Sequence, residues 1–277
     1  MRHANVRLDG ESFAARVGND GLLYRLEDER PLGSHTDFSS LGELAVAGPG
    51  ISPEQVRFLP PVIDPGKIIC LGLNYRGHIE ETKRDVPTYP VLFCKWADSL
   101  IGAGDDIMRP PESQQVDYEA ELAVIIGQAL RRADRDEARA GIAGLTAAND
   151  ITMRDYQYKS HQWLQGKAWP NSTPLGPYLV SGDEVDYGRA LDIRLCLNGA
   201  EMQHSNTDRM IFGVEATISI LSEFVAFQPG DVVLMGTPHG VGYHRHPQVL
   251  LADGDVVSVE IAGLGQLRNR VRDEVPG

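Results

Sequence analysis

The sequence predicts a mostly β protein of the α+β class. Short runs with strand character recur along the 277 residues, separated by turns rich in Gly, Pro, Asn and Asp. Helical signals are fewer. The strict strand–helix–strand alternation of a doubly wound sheet or a regular (β/α)₈ barrel is absent, so a mixed, largely antiparallel β fold fits better.

The N-terminal region predicts a small β unit. Three strand-like runs are separated by turns at Asp9-Gly10 and Asn19-Asp20-Gly21: residues 5–8, 12–17 and 22–26. Pro60-Pro61 and Pro65-Gly66 then interrupt any helix or central strand. We therefore expect a small N-terminal domain over residues 1–65 and a catalytic domain over residues 66–277.

The larger region begins with a buried-looking strand over residues 67–73. Further strands are predicted at these positions: 91–95, 116–126, 144–150, 175–181, 191–197, 232–235, 256–261 and 266–271. A helix starts after Asp134, because this carboxylate can cap the first turn and Glu137 completes a capping box. A second helix covers residues 213–225, and Asn198-Gly199 predicts a tight hairpin turn.

The composition excludes several classes of function. The chain has 26 Lys and Arg against 39 Asp and Glu, a net charge of −13 with no basic cluster, so we expect no nucleic-acid partner. No uncharged apolar run reaches membrane-spanning length and no signal-peptide core is present, so we expect no membrane contact and a cytoplasmic location. Cys70, Cys94 and Cys196 are too widely spaced for a thiolate zinc site.

Residues 116–126 are the most informative segment for chemistry. On a strand, Glu119 and Glu121 project from the same face, where two carboxylates need a cation or a shared proton. Asp150, at the end of another apolar segment, can supply a third oxygen. Three carboxylates without clustered Cys or His select a hard ion, Mg²⁺ or else Mn²⁺ or Ca²⁺. The alternative is an edge strand with both glutamates in water.

Three further groups of residues are candidates for the site. His78 and Glu81 share a face if their segment is helical, as a general base and its orienting partner do; the alternative is a solvent-facing turn. Within the irregular stretch 152–171, three side chains can bind an anionic substrate near a metal, or else are ordinary surface residues: Arg154, Gln157 and Lys167. Thr237, in a Gly-rich turn, can contact an anionic ligand.

Three histidines in the late Gly-rich loop raise the alternative of a zinc site. They are His239, His244 and His246. No acidic partner is adjacent, and histidines in loops are more often free than bound to metal.

In combination these segments resemble the fumarylacetoacetate hydrolase family, from about residue 67 to residue 272. The matching motifs follow in order: Gly72-Leu73-Asn74-Tyr75 with His78 and Glu81, Pro90-Val91-Leu92-Phe93 with Lys95, Asp117-Tyr118-Glu119-Ala120-Glu121, Ala148-Asn149-Asp150, Arg154-Asp155 with Gln157, Gly166-Lys167, Pro174-Leu175-Gly176-Pro177, Asn206-Thr207, Pro229-Gly230-Asp231-Val232 and Gly236-Thr237-Pro238. Their order and coverage are more specific than any single motif.

The resemblance implies a β-roll catalytic domain, usually dimeric, preceded by a small N-terminal domain. It implies Mg²⁺ at Glu119, Glu121 and Asp150, and it implies that His78 with Glu81 activates water. The remaining predicted positions match substrate contacts: Arg154, Gln157, Lys167 and Thr237. The sequence departs from the family pattern at Trp96 and at residues 168–171, which leaves the distal group of the substrate open.

We therefore expect a metal-dependent hydrolase of aromatic catabolism that cleaves a C–C bond in a 3-acylpyruvate such as fumarylpyruvate. His78 and Glu81 would activate water, Lys167 would stabilise an oxyanion, and the partner would be a small anionic oxo acid bound by a homodimer. One alternative is decarboxylation of oxaloacetate or isomerisation of a ring-cleavage product at the same metal site. Another is a metal-binding protein on an enzyme fold that has lost catalysis.

Overall fold

Strands make up most of the regular structure in this computed structural model, which describes residues 1–27 and 30–275. In chain order they are β1 (Arg2–Leu8), β2 (Glu11–Val17), β3 (Leu23–Leu26), β4 (Val46–Ile51), β5 (Arg57–Leu59), β6 (Ile68–Gly72), β7 (Val91–Lys95), β8 (Leu100–Ile101), β9 (Asp106–Arg109), β10 (Val116–Asp117), β11 (Ala120–Ile126), β12 (Ile142–Asn149), β13 (Thr152–Met153), β14 (Thr173–Val180), β15 (Asp192–Leu197), β16 (Ala200–Asn206), β17 (Val232–Leu234), β18 (Val256–Ile261) and β19 (Gly265–Asp273). The α-helices are α1 (Arg76–Thr82), α2 (Arg135–Ala140), α3 (Arg154–Gln157), α4 (Leu164–Lys167) and α5 (Val214–Ser222).

A large, mostly antiparallel sheet runs in the order β4-β3-β2-β1-β14-β12-β11-β17-β6-β7, with β5 paired to β1 and β8 paired to β14. The pairs β17–β6 and β14–β8 are parallel. A second sheet has the order β16-β15-β18-β19-β9, and β10 pairs with β13 alone. This mixed, mostly β architecture confirms the predicted fold class.

Strand β11 lies in the middle of the core and is buried along its whole length. Leu122 and Val124 belong to the cluster that also contains Leu195 and Val259 of the smaller sheet. Ala123 and Ile125 project the other way, into a second cluster. Burial on both faces explains why this segment is a nearly continuous apolar run, in which a charged residue such as Glu121 is conspicuous.

Several local signals are confirmed in detail. Asp134 caps α2 by accepting from the Asp136 and Glu137 N–H groups, and the Glu137 side chain accepts from the Asp134 N–H. Asn198 and Gly199 both have positive φ, 51° and 83°, as the turn between β15 and β16 requires. The three predicted N-terminal strands are β1 to β3, and β1 extends the large sheet by pairing with β14. The domain boundary at residue 65 stays a prediction.

Some predicted bounds were wrong. The strand predicted over 116–126 is interrupted, because Asp117 accepts from the Tyr118 N–H and the Glu119 N–H donates to the Asn149 side chain instead of a strand neighbour. The stretch 152–171 is not irregular throughout, since it contains β13, α3 and α4. The second helix ends at Ser222 instead of residue 225. Strands β4, β5, β8, β9 and β16 were not predicted, since most are short or polar.

Candidate active site

The three predicted carboxylates meet where β11 begins and β12 ends. These strands pair antiparallel with Ala120 opposite Asn149, and the Asp150 N–H donates to the Glu119 carbonyl at 2.9 Å. Glu119, Glu121 and Asp150 are buried, and each offers one oxygen within 4.8 Å of the others. The alternative of an edge strand with its glutamates in water is therefore wrong.

Buried cations compensate part of this negative charge. The Lys167 Nζ lies 2.6 Å from Glu119 Oε2 and 2.7 Å from Asp150 Oδ2. The Lys95 Nζ lies 2.8 Å from Asp150 Oδ1 and also donates to the Lys167 carbonyl. These contacts anchor α4 and β7 to the carboxylate cluster, so the cations hold the cluster together as well as neutralise it.

Glu121 is the exception. In the described part of the chain no Lys or Arg lies within ion-pair distance of its carboxylate, and its Oε2 accepts from the Gly236 N–H at 2.7 Å. Burial and the nearby charges of Asp150 and Glu119 raise the pKa of Glu121 well above its usual range. Burial also acts to raise the pKa of Glu119, but the charges of Lys167 and Arg154 outweigh it and lower that pKa. The cluster therefore has room for further positive charge beside Glu121.

Asp117 connects the cluster to the late Gly-rich loop. Its Oδ2 accepts from the Arg154 Nε at 2.9 Å and from the Tyr243 N–H at 3.0 Å, and its Oδ1 accepts from the Gly242 N–H at 2.8 Å. The Arg154 Nη2 lies 2.6 Å from Glu119 Oε1, and the Nη1 donates to the Gln157 side-chain oxygen at 3.0 Å. Asp117 thus fixes Arg154 in the wall of the site.

The segment with His78 and Glu81 is helical, as α1. The His78 Nδ1 lies 3.1 Å from Glu81 Oε2, and Glu81 Oε1 accepts from the Gly240 N–H at 2.9 Å. Burial acts to raise the pKa of Glu81, but the His78 and Gly240 hydrogen bonds outweigh it and lower that pKa. Because Nδ1 is engaged, Nε2 is the ring nitrogen left for a ligand.

One cleft gathers most of the predicted residues. Its lining includes His78, Glu119, Glu121, Arg154, Gln157, Lys167 and Thr237. Asp150 and Glu81 lie behind the lining, in contact with Lys167 and His78 respectively. The Thr237 hydroxyl accepts from the Gln203 side-chain amide at 2.9 Å, which fixes its orientation.

The three loop histidines do not form a zinc site among the described residues. His239 and His246 are exposed, whereas His244 lines the cleft with its ring centroid 6.3 Å from that of His78. The carboxylate cluster is the only group of three or more potential metal ligands over residues 1–27 and 30–275. All its donors are oxygen atoms, and its burial and excess of negative charge fit a hard divalent ion.

Comparison with known proteins agrees with this geometry. The sequence model described as fumarylacetoacetate (FAA) hydrolase C-terminal matches residues 67–272. The chain belongs to the fumarylacetoacetate hydrolase family.

Relatives within the family are named for more than one reaction. The chain is 40% identical to the human protein named oxaloacetate tautomerase FAHD2A, mitochondrial, and 44% identical to its Bos taurus counterpart, over 95% of this chain and 88% of each relative. It is 32% identical to the solved fumarylacetoacetate hydrolase of Exiguobacterium antarcticum, with a TM-score of 0.86 over 99% of this chain and 100% of that one. A solved 5-carboxymethyl-2-hydroxymuconate delta-isomerase of Mycobacterium smegmatis is 29% identical, with a TM-score of 0.84 over the same shares of the two chains.

These findings support an enzyme of this family. Acylpyruvate hydrolysis is not confirmed, since the relatives favour the tautomerase and isomerase alternative. Over the described residues, no helix has the length and apolar character needed to cross a membrane. Because the named relatives include mitochondrial proteins, the cytoplasmic location stays a prediction.

Sequence reasoning missed several residues that this family member places at the site. Lys95 is a lone cation ending an otherwise apolar strand, and Asp117 precedes the two glutamates at the same two-residue spacing. Both features are visible in the sequence and could have identified these residues as part of the site. Arg84, Tyr158 and Trp163 also line the cleft, and nothing in their local sequence distinguishes them from surface residues. His244 lines it too, although the sequence indicated this residue only as a candidate zinc ligand.

Proposed function

We propose that this protein catalyses keto–enol tautomerisation of a small 2-oxo acid of the oxaloacetate class, assisted by a hard divalent ion. The observation that carries the proposal is the placement of the His78–Glu81 pair in the same cleft as the buried carboxylate cluster. The likeness to proteins named oxaloacetate tautomerase supports this reaction over acylpyruvate hydrolysis.

The carboxylates of Glu119, Glu121 and Asp150 would hold the ion, with Mg²⁺ proposed first and Mn²⁺ or Ca²⁺ next. When bound, such an ion supplies Lewis-acid polarisation of a carbonyl oxygen. The fit rests on the all-oxygen donor set and on Glu121, whose carboxylate has no cationic partner in the described part of the chain.

His78 is the group that moves the proton. In enolisation, the C3–H bond of the oxo acid breaks, its proton passes to His78 Nε2, and its electron pair forms the C2–C3 double bond while the C2 oxygen gains negative charge. His78 Nε2 then returns the proton to the C2 oxygen, which restores the neutral imidazole. Ketonisation runs the same steps in reverse, so the reaction needs no external reactant. Glu81 keeps the imidazole oriented through its contact with Nδ1.

Lys167 serves as a fixed positive charge. Burial acts to lower its pKa, but Asp150 and Glu119 outweigh that effect and raise it, so the ammonium keeps its proton. A permanent charge beside the C2 oxygen stabilises the enolate, and it costs no reorganisation because the two carboxylates already hold it in place.

Arg154, Gln157 and Thr237 would bind the carboxylate next to the reacting carbonyl. They line the same cleft, and each is held by a hydrogen bond to another protein group. Substrate-binding residues fixed in this way lose little entropy when the ligand arrives.

The second candidate is hydrolysis of an acylpyruvate, favoured by the same His78–Glu81 geometry, which also suits deprotonation of water. The two reactions can be distinguished by their products, because only hydrolysis releases pyruvate and a second carboxylic acid.

We also propose that the protein is a homodimer, since two-fold pairing is the commonest closed symmetry. Light scattering would then give about twice the 30.4 kDa of one chain.

The test follows enol absorbance and product NMR with oxaloacetate, acetylpyruvate and fumarylpyruvate, each with Mg²⁺ and with a chelator. We expect Mg²⁺-dependent interconversion of oxaloacetate tautomers without pyruvate release from the acylpyruvates. Release of pyruvate from an acylpyruvate, without tautomerase activity, would replace the proposal by the second candidate.

His78→Ala should lower tautomerisation by roughly 10²–10⁴, the usual effect of a positioned acid–base group. His246→Ala is the matched control, because this histidine is exposed and outside the cleft, and it should leave the rate unchanged. An unchanged rate in His78→Ala would remove this residue from the mechanism.

A further inference from the structure

The cleft lining includes a group of exposed and half-buried side chains that the proposed proton transfer does not use. We call this group the rim, and it consists of Arg84, Tyr158, Trp163 and His244. The Arg84 guanidinium lies over the Trp163 ring, 5.9 Å from its centroid. Arg84 follows the end of α1, on the same short segment that carries His78.

Trp163 is a rigid support for Arg84. Its ring meets Phe93 edge to face, with ring centroids 5.8 Å apart. A Cβ on Gly72 would lie 2.2 Å from Trp163 Cζ3, so the absence of a side chain at Gly72 lets the ring pack directly against β6. An indole fixed on both sides holds the arginine by stacking without neutralising its charge.

The charges around the cleft leave Arg84 with a distinct role. Arg154 pairs with Asp117 and Glu119, and Lys167 pairs with Glu119 and Asp150. In the described part of the chain, no carboxylate lies within ion-pair distance of Arg84, whose side chain is exposed. Of the Lys and Arg side chains that line the cleft, Arg84 is therefore the one that remains available to pair with a carboxylate.

We propose that Arg84 is a specificity-determining residue that binds the distal carboxylate of a dicarboxylic 2-oxo acid. This inference rests on the proposed function, in which the carboxylate cluster and its neighbours bind the 2-oxo acid end of the substrate. The opposite end then faces the rim. A guanidinium binds a carboxylate through two parallel hydrogen bonds, whereas a neutral distal group would leave the arginine unpaired.

The first test measures binding without turnover, using Mg²⁺-loaded protein and calorimetry. The ligands are the C3-difluorinated analogue of oxaloacetate, which cannot enolise at C3, and oxalate, which lacks a distal arm. In Arg84→Met the affinity for the difluorinated analogue should fall by roughly 10–100-fold, the worth of a hydrogen-bonded charge pair, while oxalate binding stays unchanged. Arg84→Lys should recover part of the loss.

Arg76→Met is the matched control, because it removes the same charge from an exposed position on α1 outside the cleft lining. It should leave both affinities unchanged. Equal weakening of both ligands in Arg84→Met, no weakening of either, or the same loss in Arg76→Met would each overturn the proposal.

A second test compares kcat/KM for oxaloacetate and for its 4-methyl ester, which keeps the 2-oxo acid end and loses the distal charge. Arg84→Met should lower the value for oxaloacetate by roughly 10–100-fold and leave the ester unchanged, and an equal loss for both would overturn the proposal. Inactivity of the wild type towards both would overturn the proposed function, while the binding comparison would still decide the role of Arg84.

Discussion

The carboxylate cluster and the rim are two sides of one cleft that are built in opposite ways. Glu119, Glu121 and Asp150 are 4%, 1% and 0% exposed and are held by strands, buried cations and backbone N–H groups. The rim lies on loops and short helices, and its Tyr158 is 45% exposed. Ring packing, instead of ion pairing, positions its members.

The difference teaches how one fold can keep a chemistry while its substrates vary. Ion binding needs several ligands at fixed separations, which a buried and mutually paired set provides. Recognition of a distal group needs only one or two side chains, and an exposed loop can exchange them at little cost in stability. We therefore expect substitutions in the cluster to affect the metal or the fold, and substitutions in the rim to affect substrate choice.

The largest effect should follow Glu121→Gln, which removes a charge while keeping the shape of the side chain. Metal binding should be lost, and turnover should fall by more than the roughly 10²-fold that loss of an outer-shell partner costs. Metal content and kcat with added Mg²⁺ measure this. Glu223→Gln makes the same change at an exposed position and should have no effect. Full metal occupancy in Glu121→Gln would place the ion elsewhere.

Lys167→Met should destabilise the metal-free protein by about 3–5 kcal/mol, because it leaves Glu119 and Asp150 buried without their shared cation. Mg²⁺ should recover part of this loss, since a bound cation compensates the same carboxylates. Urea unfolding with and without Mg²⁺ checks both statements, with the exposed Lys83→Met as the control. Unchanged stability in the metal-free protein would mean that the buried pairing contributes nothing.

Glu81→Gln should lower the free energy of unfolding by less than Lys167→Met does, because it weakens the contact with the His78 ring without removing the ring. The pKa of Glu81 is lowered in the folded protein, so its contribution to stability is present above its ordinary carboxyl pKa, about 4.3, and is lost as the pH falls through the folded value. The free energy of unfolding of wild type and variant should therefore differ at pH 7 and converge in acid. A difference that is constant with pH would contradict this ionic role.

The sequence predicted the cluster better than the rim for a physical reason. Paired carboxylates in an apolar strand are costly without a cation, so Glu119 and Glu121 stand out from their neighbours. Arg84 and Tyr158 are ordinary in their own segments, and they gain a role only where the fold brings α1, α3 and the residues before α4 to one cleft.

The fold shows the same division. The capping box at Asp134 and the turn at Asn198-Gly199 act within a few residues, so local sequence predicted both. Two-residue strands such as β8 and β10 exist only because distant partners lie alongside them. The break at Tyr118 and Glu119 depends on the Asn149 side chain, thirty positions along the chain from Glu119, which no local pattern shows.

The central claim is that the carboxylate cluster binds the metal independently of His78 and the rim. Its most direct test is a titration with Mn²⁺, a spectroscopic substitute for Mg²⁺, followed by electron paramagnetic resonance. It would compare wild type, Glu121→Gln, His78→Ala and Arg84→Met without substrate. We predict that His78→Ala and Arg84→Met bind one ion with the affinity of the wild type, and that Glu121→Gln does not bind it. Loss of the ion in His78→Ala or in Arg84→Met, or its retention in Glu121→Gln, would contradict the separation of metal binding from the rest of the cleft.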